Sequence, residues 1–527
     1  RRILGLVSYF PDIDALLPNY EKGKDFHIKE IPMSDFQFGV YEEARVQERK
    51  IESNNAKKKK RATGGANIYD DSVSTYRIFS RAFCNFVFPK PDIKRPMPRD
   101  GNDISSIIES VNATEDVLDA VIIEDIEGNQ KGQDDADDDA DDDDEDKAMD
   151  RNTESSNISY EQQIKLAIQE LDANSDKYLT PEALETYSPK FLNILENVID
   201  NDYKGLHLIY SQFRTLEGIG ILSLILKANG FAQFKISKDV EWNIDIALED
   251  RGKPKFVLYT GTETAEEKEI IRNIFNGDWD IIPQSLRTQL EAISSNNLYG
   301  EIIKVLMITA SGAEGISLKN VRYVHVTEPY WHPVRVEQVI GRARRICSHK
   351  DLPKELQTVE VFLYLMTFSK EQLESDRSIE LRLKDTSKID KSMPLTSDQA
   401  LYEISTIKEN INRGILYNVK EAAIDCNIHT DFGGSEKLQC FTFGTSSSDK
   451  FAYSPSIASE ESDKVTDINK VEETLKAVSI TIPGIGKCAL NQQSGEVYDL
   501  DSYKRKAPVV IGRLEVSDDG KKKFIRL

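Results

Sequence analysis

Five short β-rich segments between residues 200 and 370 constrain the fold more than any other feature of the sequence. They are Leu206–Tyr210, Phe256–Thr260, Ile303–Thr309, Tyr323–Val326 and Val359–Leu365. Helical patterns separate several of them; after the first, apolar residues recur at helical spacing from Leu216 to Leu226, and Asn229-Gly230 ends that helix. This alternation predicts an α/β fold with a parallel sheet covered on both faces. In such sheets the functional loops follow the carboxyl ends of the strands.

The charge of the chain is concentrated in one tract. The net charge is −22, but residues 134–146 (DDADDDADDDDED) hold eleven acidic residues and no basic ones. Without these 13 residues the remaining 514 carry a net charge of −11, which argues against a uniformly basic nucleic-acid-binding surface. Residues 101–160 have too few apolar side chains to offset the entropy of ordering, so we expect a disordered acidic insertion. This acidic insertion is either a solvated spacer or a nucleic-acid mimic that docks on a basic surface such as Lys57–Arg61. The basic run Lys57–Arg61 is itself a solvated loop, a DNA contact or a localisation signal.

Cysteine usage and hydropathy indicate an intracellular protein. The five cysteines are widely spaced and include no CxxC pair, which disfavours a disulfide framework and a metal site. No apolar run reaches the roughly 18–20 residues that cross a bilayer, so we expect no membrane partner. The sequence starts at Arg1-Arg2 without an initiator Met or a signal-peptide layout, so we expect it to begin within a longer protein.

The loop Thr309–Gly315 (TASGAEG) follows a buried strand. Its small residues would let the backbone approach another molecule closely, and exposed N–H groups there could bind a phosphate. A plain strand-to-helix turn explains the same pattern equally well.

A second polar segment, Glu328–Pro333 (EPYWHP), follows the strand at Tyr323–Val326. Pro333 suits the first position of a new helix, and the segment also reads as a structural loop around a buried Trp331. His332 has no visible catalytic partner, so we assign it to packing or capping.

The helix predicted at Val334–Arg345 (VRVEQVIGRARR) presents two different faces. Val336, Val339, Ile340 and Ala343 share the side that would face the sheet. Gln338, Arg342 and Arg345 lie on the opposite side, and Gly341 adds no side-chain bulk beside them. Guanidinium groups bind polyphosphates bidentately and stay charged, so both arginines are candidates for stabilising a transferring phosphoryl group.

Taken in order, these segments resemble motifs V and VI of the C-terminal lobe of superfamily 2 helicases. Tyr210-Ser-Gln-Phe213 resembles motif IV, while Cys84–Pro89 and Tyr402–Cys426 resemble helicases of nucleocytoplasmic large DNA viruses. These include the poxvirus early-transcription-factor ATPase subunit and nucleoside triphosphatase I. Motif VI is followed by Ile346-Cys-Ser-His349, where chromatin-remodelling ATPases usually show Gly-Gln, so the resemblance to remodellers is weaker.

The resemblance implies a RecA-like C-terminal lobe at 161–370. It assigns 1–100 to the end of a first lobe and an inter-lobe segment, and 371–527 to a family-specific region of mixed α+β structure. We expect a helix at 398–425 that begins with a Thr396/Gln399 capping box, and strands at Ala477–Ile482 and Val509–Leu514.

The resemblance also implies residue roles. The residues that would reach ATP are Gln338, Arg342 and Arg345, with Arg345 and then Arg342 as the catalytic arginines. The nucleotide-binding site would be coupled to the bound nucleic acid by Gly312, Glu314 and Gly315. Nucleic-acid phosphates would be contacted by Ser211, Gln212, Thr309 and Ser311.

The motifs of a first lobe are absent from the sequence. There is no GxxxxGK[ST]; Pro483–Lys487 lacks its first glycine, and Asp144-Glu145 lies in the acidic tract with no strand before it. We therefore expect the chain alone not to hydrolyse ATP, and Mg²⁺ to be held by the missing lobe. The implied function is an ATP-driven helicase or translocase on DNA, serving viral transcription with a viral RNA polymerase, in the virion or a cytoplasmic viral factory. The alternatives are a translocase that remodels or terminates a polymerase complex without unwinding, and a non-catalytic scaffold.

Overall fold

The computed structural model divides the chain into two compact units, Asp12–Gly414 and Ile415–Leu527, the latter with Arg1–Pro11. It describes residues 7–8, 16–63, 77–96, 160–259, 264–309, 316–374, 384–426, 438, 440, 477–482, 485–492, 494–504, 509–516 and 522–526. The predicted acidic insertion, apart from Tyr160, and the loop 310–315 lie outside these residues, as do the side chains of Lys57–Arg61. Among the described helices, none combines the length and apolar composition needed to cross a bilayer.

The larger unit is built around one parallel sheet. Its strands are β1 (Phe26–Pro32), β2 (Leu206–Tyr210), β3 (Ala232–Gln233), β6 (Lys255–Tyr259), β7 (Val305–Ile308), β8 (Val321–Val326) and β9 (Glu360–Thr367), and β4 (Ile236–Lys238) and β5 (Trp242–Ile244) form a separate hairpin. The order across the sheet is β1-β9-β8-β2-β7-β6-β3, and all pairings within it are parallel. The predicted parallel α/β sheet is confirmed, and β1 adds an edge strand from a region that we had assigned to a first lobe.

Helices cover both faces of this sheet. In chain order they are α1 (Lys22–Asp25), α2 (Asp35–Thr63), α3 (Ile78–Asn85), α4 (Tyr160–Ala173), α5 (Ser175–Tyr178), α6 (Pro181–Tyr187), α7 (Pro189–Ile199), α8 (Ile219–Ala228), α9 (Ala265–Asn276), α10 (Gln284–Glu291), α11 (Pro333–Ala343), α12 (Lys370–Glu374) and α13 (Ser397–Glu421). One apolar core contains residues of α4, α7 and α8, and a second contains residues of α9, α10 and α11. β2, β7 and β8 are buried along their whole length, as expected for strands covered on both faces.

Local sequence signals account for several helix ends. α8 ends at Ala228 with Asn229 as its C-cap, and Gly230 follows with a φ of 88°, a conformation that glycine adopts at little cost. α13 begins with the predicted capping box: Gln399 N donates to Thr396 Oγ1, and Thr396 N donates to Gln399 Oε1, both at 3.1 Å.

The smaller unit contains an antiparallel five-stranded sheet. Its strands β10 (Ala477–Ile482), β11 (Gly486–Asn491), β12 (Glu496–Asp499), β13 (Val510–Val516) and β14 (Lys522–Arg526) pair in sequence order, and α14 (Leu500–Lys504) follows β12. The sequence anticipated β10 and most of β13. Cys426 and Cys440 form a disulfide in this unit, a pairing that the wide spacing of the cysteines did not predict. Pairing depends on three-dimensional proximity, which cysteine count and spacing do not report.

Candidate nucleotide and nucleic-acid site

Three predicted site loops begin at one edge of the sheet, here called the carboxyl edge. Tyr210 at the end of β2 is in register with Ile308 of β7 and with Val326 of β8. The next residues stay in contact, because Ser211 N donates to Ile308 O at 3.2 Å and Thr327 N donates to Tyr210 O at 3.0 Å. The structure therefore brings Ser211, Thr309 and Thr327 together, as the parallel sheet predicted.

Glu328, directly after β8, organises the polar groups of this edge. Its Oε1 accepts from Ser211 Oγ and from Asn85 Nδ2, both at 2.5 Å, and its Oε2 accepts from Gln212 N at 3.0 Å. The residue is fully buried, and burial raises the pKa of its carboxyl group. The second carboxyl-edge loop is thus fixed to the first through one carboxylate.

This hydrogen-bonded group extends through two more buried charges. Lys190 Nζ donates to Asn85 Oδ1 at 2.9 Å and to Asp398 Oδ2 at 2.6 Å, and Asp398 Oδ2 also accepts from Met366 N at 3.1 Å. Lys190 and Asp398 both have an exposed fraction of 0%. The chain of contacts from Glu328 to Asp398 therefore joins the carboxyl edge to the first turn of α13.

A buried network of charged side chains carries a large desolvation penalty. Removing charges from water costs several kcal/mol per ion, and well-packed apolar residues of similar volume often stabilise a fold equally well or better. Buried ionic networks are therefore weak evidence for stability and are expected where a specific arrangement is needed. The position of this network beside the predicted site loops points to such a need.

The predicted arginine helix is present as α11, from Pro333 to Ala343. Pro333 occupies its first turn and His332 its N-cap position, although the His332 side chain makes no capping hydrogen bond and packs edge-on against Tyr330 and Trp331. The apolar face predicted to meet the sheet is buried: Val339, Ile340 and Ala343 are at most 3% exposed, and Val336 packs against the same core.

The opposite face of α11 is accessible. Gln338 is exposed, Arg342 is half-buried one turn later, and Arg345 is exposed two residues past the helix end. A Cβ atom at Gly341 would have no neighbour within 4 Å, so the space beside Arg342 is open. The geometry leaves room for a polyphosphate or another protein surface at these residues.

The end of α11 is held next to the segment that follows the small-residue loop. Leu318 N donates to Arg342 O at 3.2 Å, and Arg342 Nη1 lies 3.5 Å from Ile316 O. Ser311, Gly312, Glu314 and Gly315 lie outside the described residues, so their assigned roles stay predictions. The exit of their loop nevertheless lies beside Arg342.

The structure places the side chains of the predicted nucleic-acid contacts in the interior. Ser211, Gln212 and Thr309 are 1%, 0% and 4% exposed. Ser211 donates to Glu328, while Gln212 Nε2 donates to Pro329 O at 3.3 Å and its Oε1 accepts from Arg81. Direct contact with a phosphate stays a prediction for these side chains, and it would require these hydrogen bonds to open.

Sequence reasoning missed the carboxylate and its partners. Glu328 was visible as an acid directly after a buried strand, but its partners Ser211 and Asn85 lie 117 and 243 residues away. Lys190 carried no signal, because a lysine at the start of a helix is ordinarily solvated.

Basic side chains cover the aromatic residues of the EPYWHP segment. Lys408 Nζ lies 3.7 Å from the ring centre of the half-buried Trp331, and the Arg335 guanidinium lies 4.8 Å from that of Tyr330. Burial, and then the charge of Lys388, lowers the pKa of Lys408. Such cation–π pairs keep cationic groups and aromatic faces together at the surface.

Known proteins resemble this chain across the same region. Residues 192–347 match the family described as the helicase conserved C-terminal domain. A protein of Acanthamoeba polyphaga mimivirus, provisionally named an ATP-dependent RNA helicase, is 24% identical over 98% of this chain and 60% of its own length. The termination factor NPH-I homolog of African swine fever virus is 30% identical over 47% of this chain and 34% of its own length.

The chain thus spans between about a third and three-fifths of the length of these relatives. Both relatives come from large DNA viruses, and the matched domain contains β2, β7, β8 and the arginine helix. Residues 192–347 therefore resemble a helicase C-terminal domain, and the chain is similar to proteins named as helicases and termination factors of large DNA viruses.

Proposed function

We propose that this chain is the C-terminal half of an ATP-dependent nucleic-acid helicase or translocase that acts on DNA during viral transcription. The observation that carries the proposal is the accessible row Gln338, Arg342 and Arg345, held by α11 beside the exit of the loop 310–315. A row of this kind suits ATP, because guanidinium groups bind phosphate oxygens bidentately.

ATP bound there would supply a γ-phosphoryl group whose transfer develops negative charge. Arg345, the more exposed arginine, is proposed to stabilise that charge, and Arg342 to orient the phosphate chain. Mg²⁺ and the P-loop lysine are proposed to come from a first lobe, whose motifs this sequence lacks.

The nucleic acid is proposed to cross the carboxyl edge and the aromatic segment after β8. Phosphate contacts to one strand would allow movement along it without reading its sequence. The proposed partner proteins are viral RNA polymerase or transcription-factor subunits. The proposed location of the protein is the virion or a cytoplasmic viral factory.

The test is ATP hydrolysis by the full-length parent protein with single-stranded DNA, duplex DNA or RNA of matched length. The proposal predicts a rise in hydrolysis rate with DNA. Stimulation by RNA alone would redirect the proposal to an RNA helicase, the activity for which the mimivirus relative is named. A parent that hydrolyses no ATP, whichever nucleic acid is added, would favour the non-catalytic scaffold, especially if its upstream sequence lacked a P-loop lysine.

A second candidate is a translocase that terminates or remodels a polymerase complex without separating strands. The name of the African swine fever virus relative, a termination factor homolog, favours it. Triplex displacement measured beside duplex unwinding separates the two candidates, because a translocase displaces the third strand and leaves the duplex intact.

A further inference from the structure

The loop after β2 is almost entirely closed to solvent. From Ser211 to Ile219 every residue is buried except Arg214 and Thr215, which are half-buried. Gln212 is held by Glu328 and Arg81, and the Phe213 ring packs against Ala82 with the Arg81 guanidinium 5.8 Å away. Arg214 and Thr215 are therefore the two residues of this loop with side chains that are partly accessible to solvent.

The backbone of this loop is fixed on both sides of Arg214. Ile219 N donates to Phe213 O, and Gly220 N donates to Arg214 O, each at 2.9 Å. A Cβ atom at Gly218 would lie 1.9 Å from Phe213 O, so the loop can fold back this tightly only with glycine there. Contacts of this kind remove the motions that would otherwise be lost on binding a ligand.

The remaining charged residues of the loop region are engaged with one another. Glu217, with a φ of 51°, is fully buried and receives two hydrogen bonds from Arg95, at 2.6 and 2.9 Å. Within the described part of the chain, by contrast, the Arg214 guanidinium has no carboxylate or hydrogen-bond partner. A rigid, otherwise buried loop thus presents one uncompensated cation at the carboxyl edge.

We propose that Arg214 binds a backbone phosphate of the nucleic acid, and that Glu328 is the positioning residue that holds the loop for this contact. This inference rests on the proposed function for the identity of the ligand, and it assigns the contact to Arg214 in place of the buried side chains of Ser211 and Gln212. The guanidinium group presents a planar set of donors that matches phosphate geometry.

The experiment measures the salt dependence of binding by the full-length parent to a short, mixed-sequence, labelled single-stranded oligonucleotide. Each phosphate neutralised on a single strand contributes about 0.7 to the slope of log affinity against log salt concentration. Arg214→Ala is expected to lower that slope by about 0.7 and to weaken binding about 5- to 10-fold at low salt, uniformly across sequences. Arg214→Lys keeps the charge and should keep the slope.

The matched control is Arg251→Ala. Arg251 is an exposed arginine just before β6, at the opposite edge of the sheet, and its loss should leave the slope unchanged. Affinity for a fluorescent ATP analogue is measured for every variant, and thermal unfolding verifies that each is folded.

An unchanged slope for Arg214→Ala would overturn the inference while leaving the proposed function intact. A loss of nucleotide affinity without a change in the slope would also overturn it, because the phosphate would then belong to ATP. A wild-type protein that binds no oligonucleotide would overturn the inference together with the nucleic-acid part of the proposed function.

Discussion

The two edges of the parallel sheet use buried charge in different ways. At the amino edge, where β6, β7 and β8 begin, cations donate hydrogen bonds to main-chain carbonyl groups: Lys255 Nζ donates to Arg251 O and Lys253 O, Lys304 Nζ to Val198 O, and Arg322 Nη1 to Lys204 O. At the carboxyl edge, side chains bind other side chains from distant segments, as Glu328 does with Asn85 and Lys190 with Asp398. The amino edge thus satisfies backbone groups, whereas the carboxyl edge fixes loops relative to one another.

We therefore expect function at the carboxyl edge and structural support at the amino edge. Burial lowers the pKa of Lys255 and of Lys304, and each helps to close off a turn or a helix end. The carboxyl edge instead contains the buried carboxylate of Glu328 and the buried ion pair of Lys190 and Asp398, next to the half-buried Arg214. Polar side chains are present at both edges, so their presence alone does not identify the edge where we expect function.

The largest expected effect compares the same substitution at the two edges. Lys190→Met leaves Asp398 buried without its cation, so the free energy of unfolding should fall by about 3–5 kcal/mol. Lys304→Met leaves one carbonyl group, of Val198, at a partly exposed site, and should cost about 1 kcal/mol. Urea unfolding of both variants checks the pair, and equal losses would remove the distinction between the edges.

A second prediction separates positioning from structural support. Glu328→Gln places an amide donor either against the Gln212 N–H or against the donors of Ser211 and Asn85, so the loop after β2 should loosen and the apparent KM for nucleic acid should rise about 10-fold. Basal ATP hydrolysis without nucleic acid should not change.

Glu48→Gln is the matched control. Glu48 is another buried carboxylate, accepting from Phe79 N at 2.9 Å and Ser80 N at 3.1 Å, and burial raises its pKa to about 7. Its replacement should change the unfolding temperature and leave the KM for nucleic acid unchanged. A similar rise in KM for both variants would reduce Glu328 to a structural role.

The strand interiors between the two edges provide a third, uncharged region. His207 Nδ1 lies 3.0 Å from His325 Nε2, and His325 Nδ1 lies 2.8 Å from Tyr364 Oη. Burial lowers the pKa of His325 to about 3, and it lowers the pKa of His207 well below the usual value. These histidines therefore stay neutral in the folded state at neutral pH.

The sign of their pH effect follows from the lowered pKa. The folded state resists protonation, so the stability that neutral His325 contributes is complete above pH 6.5 and is lost as pH falls toward about 3. The loss amounts to about 1.4 kcal/mol per pH unit for each proton taken up on unfolding. In urea unfolding, His325→Asn should be less stable than wild type at pH 7.5, and the gap should narrow toward pH 4. A gap that widened would contradict this assignment.

The smallest expected effect concerns Gly341 on the open face of α11. Gly341→Ala should raise the free energy of unfolding by about 0.5–1 kcal/mol, because alanine favours the helix and meets no neighbour in the chain. If ATP or another lobe approaches this face, the same change should weaken apparent ATP affinity. Gly39→Ala in α2, where space is also open, should stabilise equally and leave ATP affinity unchanged. Unchanged ATP affinity in Gly341→Ala would mean that nothing packs closely there.

Local sequence patterns predicted much of the fold. The strand β2 was predicted at its observed bounds, β8 and β9 within two residues, and the capping box of α13 residue for residue. These features depend on neighbouring residues, whose spacing reports the local structure directly.

The features that escaped prediction depend on long-range contacts. β1 pairs in parallel with β9 across more than three hundred residues of sequence, and Lys190 meets Asp398 across 208. The accessible face of α11 could be predicted from helical spacing, but the burial of Ser211 and Gln212 could not. Whether a polar side chain after a strand faces solvent or a distant carboxylate is decided by packing.

The catalytic role proposed for Arg345 is tested by ATP hydrolysis of the full-length parent at saturating nucleic acid, comparing wild type with Arg345→Ala. Arg251→Ala, at the amino edge, serves as the control. We expect a loss of about 10³-fold or more for Arg345→Ala, typical of an arginine that stabilises the transferring phosphoryl group, and no loss for the control. Equal rates for Arg345→Ala and wild type would contradict this role.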